Sequence, residues 1–187
     1  MISLLEFLES VKKLSPELKH HLDSIIRQEN FLKHQFLLRD GEVSSHIYFI
    51  DKGFTRAFNN FNGKPTTNWF MKEMDIIVSV RSFFKREKSS ENIEAIEDTL
   101  VSYISYDELE NTYDSFPEFN IVGRKILTHY YIQCEERIND LRNKNAVEKH
   151  TEMLLKFPDI YYRAPLGNIA SYLGITLETL SKIRSAQ

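Results

Sequence analysis

Near the end of the 187-residue chain, Glu178 and Lys182 stand one helical turn apart, with the short polar Thr179 and Ser181 between them. On one helix face such a pair can read neighbouring base pairs, because a carboxylate accepts from cytosine N4 and an ammonium donates to guanine O6 or N7. Leu177, just before them, offers only apolar contact, such as with a thymine methyl. Arg163 and Arg184 bracket the segment and suit phosphate contacts, which position a protein on DNA without specifying sequence. No other residue set suggests a reaction. His20, His21, His34, His46, His129 and His150 lack metal-ligand spacing, and Cys134 is the single cysteine. It excludes an internal disulfide and leaves too few thiolates for a Cys-ligated cluster or zinc. No nucleophile–base pair, glycine-rich phosphate loop or paired carboxylates stands in a credible setting, and Glu135-Glu136 reads as a solvated helix face. Neither an enzyme nor a bound metal is expected.

The elements that must position those side chains are two short helices and a tight corner. Pro165 suits a first helical turn, where its missing N–H costs nothing, and Ile169, Ala170 and Leu173 then share one face. Ala170 must be small where the second helix crosses. Gly174 supplies the left-handed φ of the corner, Ile175 returns to the core, and Thr176 caps a second helix that buries Leu180 and Ile183. That leaves Leu177, Glu178, Thr179, Ser181, Lys182, Arg184 and Ser185 outward, the pattern of a helix-turn-helix. A hairpin that only packs would explain the Ala-x-x-x-Gly spacing alone, but every flanking core position also fits.

The rest of the chain supplies the scaffold. With 42% hydrophobic residues and a net charge of -3 it is a globular chain whose basic footprint must be local, so DNA affinity should be modest and salt-sensitive. Residues 2 to 29 read as two short helices, the second opened by Ser15-Pro16. Short β-type runs follow at Phe36 to Leu38, Ile47 to Ile50, Phe54 to Phe58, Thr66 to Met71, Ile76 to Val80 and Leu100 to Ser105. Asp40-Gly41, Asp51-Lys52-Gly53 and Asn62-Gly63-Lys64-Pro65 punctuate them, the rhythm of an antiparallel roll of about eight strands. After Phe116-Pro117 comes a long helix in which Leu127, Tyr131, Cys134, Ile138 and Leu141 form the 3.5-residue seam of a two-stranded coiled coil, predicting a homodimer. Ile126, Tyr130 and Ile132 offer a second apolar surface for the chain's own β domain. Residues 142 to 145 read as a hinge, and Ala146 to Phe157 as a further helix. The expected fold is α+β, with a β-roll sensor domain over 1–115, a dimerisation helix and hinge over 116–144, and a helix-turn-helix domain over 145–187. The acidic start and the lack of an apolar run long enough to span a bilayer predict a cytoplasmic protein without membrane contact.

This order of elements resembles the Crp/Fnr (catabolite-activator-like) family of bacterial transcription regulators over nearly the whole chain. Gly41-Glu42 followed by Ile47-Tyr48-Phe49-Ile50-Asp51-Lys52-Gly53 looks like that family's glycine-bracketed roll, and Ile169 to Arg184 resembles its DNA-reading end. The resemblance implies a jelly roll of the cyclic-nucleotide-binding type, a DNA-binding homodimer, and contact with RNA polymerase. It does not carry the ligand. Members that bind cyclic AMP hold it with a Gly-Glu pair and an Arg-Ser or Arg-Thr pair, and an ungapped comparison puts Val78-Ser79 and Ser89-Ser90 at those positions. A phosphate without its arginine lacks charge-assisted bonds worth roughly 1.5–3 kcal/mol each. Arg81, Lys85, Arg86 and Lys88 lie near, but among Glu87, Glu91, Glu94, Glu97 and Asp98. No cyclic AMP response is expected, and any effector is an unidentified small molecule; Phe83, Phe84 and Tyr103 are candidates for filling its space. Several relatives carry an arginine where Leu177 stands, so the target sequence should differ from theirs. Only Ser185-Ala186-Gln187 follows Arg184, so wing strands are not expected. The competing expectation is an interaction module whose roll binds another ligand or a protein partner, with little DNA binding.

Overall fold

Side-chain caps set most helix starts in the computed structural model, which describes residues 3–185. The wing expectation falls on Ala186 and Gln187, outside the described residues. Ser3 and Glu6 form a reciprocal capping box opening α1 (Leu4–Val11), and the Ser15 hydroxyl accepts from the Leu18 amide at the start of α2 (Pro16–Ile25), with Pro16 in its first turn. Leu4, Leu8, Leu18 and Leu22 bury the facing sides of the two helices.

Eight strands follow: β1 (Arg27–Phe31), β2 (Phe36–Leu38), β3 (His46–Lys52), β4 (Thr55–Phe61), β5 (Lys64–Met71), β6 (Ile76–Ile77), β7 (Asn92–Ala95) and β8 (Thr99–Ser105). They make two four-stranded antiparallel sheets, ordered β1-β8-β3-β6 and β2-β7-β4-β5. Leu38, Tyr48, Ile50, Met71, Ile93 and Val101 lie in the core between them. Gly53 is required here: its φ is +114°, and a Cβ would come within 2.5 Å of the Thr99 side chain.

Two strands and two helices depart from the hydrophobic pattern. β1 is built from Arg-Gln-Glu-Asn-Phe and pairs only with β8 at the sheet edge, where polar side chains meet water. All four residues of β7 are buried despite Asn92 and Glu94, because Glu94 is neutralised by Arg56 at 2.8 Å and bonded to His34 at 2.9 Å. The Ile76 to Val80 run is not one strand: it stops at Ile77, and Val80 starts α3 (Val80–Lys85). Before the long helix lies α4 (Tyr106–Ser115), set by a capping box of Ser105 and Glu108.

The long helix α5 (Phe119–Asn143) spans 25 residues and treats its two halves differently. Phe119, Val122 and Ile126 pack into the cluster with α1 and α2, and the Tyr130 hydroxyl accepts from the Ile76 amide at 2.6 Å. Ile132, expected on the same surface, is instead 48% exposed. Two residues beyond Tyr130 is about 200° around the helix, on the far side. Asn145 caps α6 (Ala146–Lys156) by accepting from the Val147 and Glu148 amides, and α7 (Ile160–Arg163), α8 (Leu166–Leu173) and α9 (Leu177–Ser185) complete the chain.

The terminal helices do not hang free of the roll. Met153, Phe157, Ile160, Ile169, Tyr172, Leu173 and Leu180 form one buried cluster with Phe54, Phe70 and Ile96. Rings of Phe54 and Phe70 stack at 5.4 Å, and Phe157 and Tyr172 close on them at 5.6 and 5.1 Å. Each such ring contributes about 1.5–3 kcal/mol by its removal from water.

Candidate nucleic-acid interface

Gly174 takes φ +66° at the end of α8, where its amide donates to the Ser171 carbonyl and the next amide, of Ile175, donates to the Ala170 carbonyl. That pair of bonds turns the chain sharply enough for α9 to cross α8 over Ala170, which is buried. The Thr176 hydroxyl accepts from the Thr179 amide at 3.1 Å, closing the first turn of α9. Leu180 and Ile183 are buried beneath it.

The outward face therefore presents Leu177, Glu178, Ser181, Lys182, Arg184 and Ser185 to solvent, with Thr179 half-buried. Bonds from its own amide and the Thr176 hydroxyl hold the Glu178 carboxyl below the ordinary range, so it is an obligate acceptor at neutral pH. The Arg184 guanidinium lies 4.5 Å from the centre of the Tyr161 ring, which limits its sweep. Chemically this face can accept from one base edge, donate to another and meet a phosphate.

Arg163 stands elsewhere. It was expected to reach phosphates, but its side chain is only 13% exposed and its guanidinium is held by Glu73 at 2.7 Å and Glu97 at 2.6 Å, both in the roll, with Asp159 at 3.4 Å. The physical reason is the docking of the terminal helices, which brings Arg163 against two carboxylates that the sequence separates from it by 90 and 66 residues. Burial pushes the Glu73 carboxyl up, but bonds from Arg163, the Gly53 amide and its own amide overcome this and pull it down to about 2. Burial lowers and the two carboxylates raise the Arg163 pKa, with a net rise. Two further ties run between α8 and the roll: Arg56 donates to Asn168 at 2.7 Å, and the Thr67 amide donates to the Ser171 hydroxyl at 2.9 Å. Sequence reasoning missed Glu73, Glu97, Asn168 and Ser171, because nothing local distinguishes them.

The seam residues lie along the unpacked side of α5. Leu127, Tyr131 and Ile138 are 61%, 62% and 55% exposed, with Cys134 and Leu141 exposed beside them. An apolar cavity of about 610 Å³ opens between this helix and the roll, bounded by Met71, Ile77, Ile93, Leu127 and Tyr130. A smaller polar cavity of about 400 Å³ is lined by Ser79, Ser82, Ser89 and Ser90 together with Arg81, Lys88, Glu87 and Glu91. Its cations are partly engaged: Arg81 pairs with Glu87 at 3.0 Å, and nearby Arg86 donates to the Ser44 carbonyl at 2.6 Å. Ser79 and Ser89 bond each other at 3.1 Å, and burial raises the Glu91 carboxyl. Of the aromatic candidates, Phe83 belongs to the α1–α2 cluster, Phe84 lines the larger cavity, and Tyr103 packs on Tyr48. Among the described residues no group of three or more His, Cys, Asp or Glu is arranged to hold a metal ion, and no helix is long and apolar enough to cross a membrane.

Residues 28–116 match the family described as the cyclic nucleotide-binding domain. Among solved structures, the chain is similar to FixK2 from Bradyrhizobium japonicum, with 22% identity and a TM-score of 0.72 over 87% of this chain and 84% of that one. A CooA mutant from Carboxydothermus hydrogenoformans shares 22% identity at a TM-score of 0.68, covering 98% of this chain and 83% of that one. The catabolite activator protein of Thermus thermophilus shares 15% identity at a TM-score of 0.59, covering 96% and 85%. No curated protein sequence matches the chain. The fold is that shared architecture: N-terminal helices, a jelly roll of the cyclic-nucleotide-binding type, a long helix and a helix-turn-helix.

Proposed function

We propose that this chain is a cytoplasmic transcription regulator of the Crp/Fnr type, which binds double-stranded DNA as a homodimer and does not respond to cyclic AMP. The observation that carries the reading is the α8–Gly174–α9 corner, whose second helix keeps Glu178, Ser181 and Lys182 in solvent while its inner face is buried. A helix so placed can enter a major groove, and two copies joined along α5 can address half-sites about one helical turn apart. Glu178 and Lys182 read bases, Leu177, Thr179 and Ser181 assist, and Arg184 contacts phosphate. Arg163 joins the phosphate contacts only if the terminal domain leaves Glu73 and Glu97. RNA polymerase is the expected further partner.

Support for the loss of cyclic AMP response comes from the polar cavity, where serines stand at the positions of the clamp and Glu91 shares the wall with Arg81 and Lys88. A cyclic phosphate there would meet a carboxylate and no free guanidinium. Calorimetry with cyclic AMP and cyclic GMP should show no binding at micromolar concentrations, and saturable micromolar binding would overturn this part.

The experiment for the whole reading is selection of bound sequences from random duplex DNA, followed by anisotropy titrations at two salt concentrations. A selected site containing two half-sites about 10 base pairs apart is expected. Equal binding to all sequences would sink the base-reading role of α9. The engagement of Arg163 favours a second reading, an interaction module with little DNA binding, and the same titrations separate the two.

A further inference from the structure

Where β5, α5, α6 and α8 meet, they enclose a third cavity, of about 340 Å³. Two cations in its wall, Arg137 and Lys156, are half-buried and have no carboxylate among the described residues within ion-pair distance. Arg137 lies 3.8 Å from the centre of the Tyr172 ring and donates to the Tyr172 carbonyl, while its Nε is shielded and makes no hydrogen bond among the described residues. Lys156 donates to the Gln133 side-chain oxygen at 3.2 Å and sits 5.3 Å from the centre of the Trp69 ring. Neither takes part in any of the ion pairs formed by the described residues.

The acids nearby do not complete the site. Asp140 and Glu152 on the wall are bridged by Lys144, at 2.6 and 3.4 Å. Glu136 is exposed, and Lys149 adds a further positive charge on the same wall. Burial pushes the Lys156 ammonium toward its neutral form; Asp75 and Glu136 attract it, while Arg137 and Lys72 repel it, and burial likewise lowers the Arg137 pKa although Asp140 attracts it. Two cations on the wall of one concavity, with no carboxylate among the described residues within ion-pair distance of either, are unfavourable unless an anion balances them. The volume lies within the range of small-molecule sites.

We propose that this cavity binds a small phosphate monoester, with Arg137 and Lys156 receiving the phosphate and the Trp69 ring covering the organic part. A monoester carries about two negative charges at neutral pH, matching two cations, where a single carboxylate matches only one. Its wall comes from the roll, the long helix and the terminal domain, so occupancy ties the three together. The site itself rests on no reading of what α9 does.

Trp69 is the chain's only tryptophan, which makes its fluorescence a reporter of this cavity. The full chain is titrated with glycerol 3-phosphate and, separately, succinate, at constant ionic strength. Expected is a saturable change with glycerol 3-phosphate, with a midpoint below about 1 mM, and at least a roughly tenfold weaker midpoint in Arg137→Gln and in Lys156→Gln. Thermal unfolding of each variant is measured alongside; if Arg137→Gln does not fold, Lys156→Gln decides. A linear, unsaturable response, an equal response to succinate, or unchanged binding in a folded variant would overturn the proposal. None of these outcomes depends on whether the chain binds DNA.

Discussion

Two apolar surfaces leave the roll, one on the terminal helices and one on α5, and they meet water in opposite ways. The first is complete within a single chain: Phe157 and Tyr172 close on Phe54 and Phe70, and Arg163, Asn168 and Ser171 are each met by a polar partner in the roll. The second leaves Leu127, Tyr131, Ile138 and Leu141 exposed in a row. A stripe of that kind on a folded chain marks an intermolecular surface. The contrast assigns the two surfaces different work. The terminal junction sets where α9 points relative to its own roll, and in the homodimer we propose the α5 stripe sets where it points relative to a second copy.

The comparison breaks most severely at the junction. Phe157→Ala removes a ring buried between the roll and the terminal domain and should cost about 3–5 kcal/mol in denaturant unfolding. Loss of the terminal helices ahead of the roll, read by residue-resolved hydrogen exchange, is the expected pattern; a loss below about 1 kcal/mol would mean the junction is not a true core. At the seam, Ile138→Glu should leave monomer stability nearly unchanged, because the side chain is exposed. It should raise the dimer dissociation constant by about 100-fold or more, equivalent to about 2.8 kcal/mol, in sedimentation equilibrium. A wild-type chain that sediments as a monomer would end the assignment of that stripe.

Base reading offers a finer cut, confined to α9. Lys182→Ala should cost about 1–3 kcal/mol on the selected site and relax preference at one base pair, whereas Arg184→Ala should weaken all sequences alike. Equal losses on selected and random DNA from the Lys182 change would remove it from the reading face.

Much of this architecture was legible because short-range signals suffice for it. Gly174, Ala170, Leu180 and Ile183 occupy the places their types require, and the spacing from Leu127 to Leu141 tracks the side of α5 that stays unpacked. What escaped was set by distant partners. β7 is buried through the ion pair of Glu94 with Arg56, and Arg163 belongs to Glu73 and Glu97 rather than to solvent. No window around those residues contains the charges that decide their fate. α4 was a different miss, since Ser105 and Glu108 spell a capping box that its mixed hydrophobic pattern concealed.

The smallest effect separating the two surfaces is a proton at the junction end. His150 is fully buried in the terminal domain, its Nε2 lies 2.5 Å from the Tyr161 hydroxyl, and its Nδ1 has no partner among the described residues. Burial, and then the charge of Arg184 beyond Tyr161, lower its pKa from the ordinary 6.5. The folded state therefore binds fewer protons than the unfolded state in the window below 6.5, so stability falls as pH falls through that window and is retained above it. Burial in the roll lowers His46 as well, so the difference between wild type and His150→Gln, rather than the wild-type slope alone, isolates His150. Thermal unfolding of the terminal helices should lose midpoint between about pH 7.5 and about pH 5.5 in the wild type and lose less in His150→Gln. The exposed α5 seam carries no such buried imidazole, so dimer dissociation should not follow the same curve. Parallel slopes in wild type and variant would place the proton elsewhere.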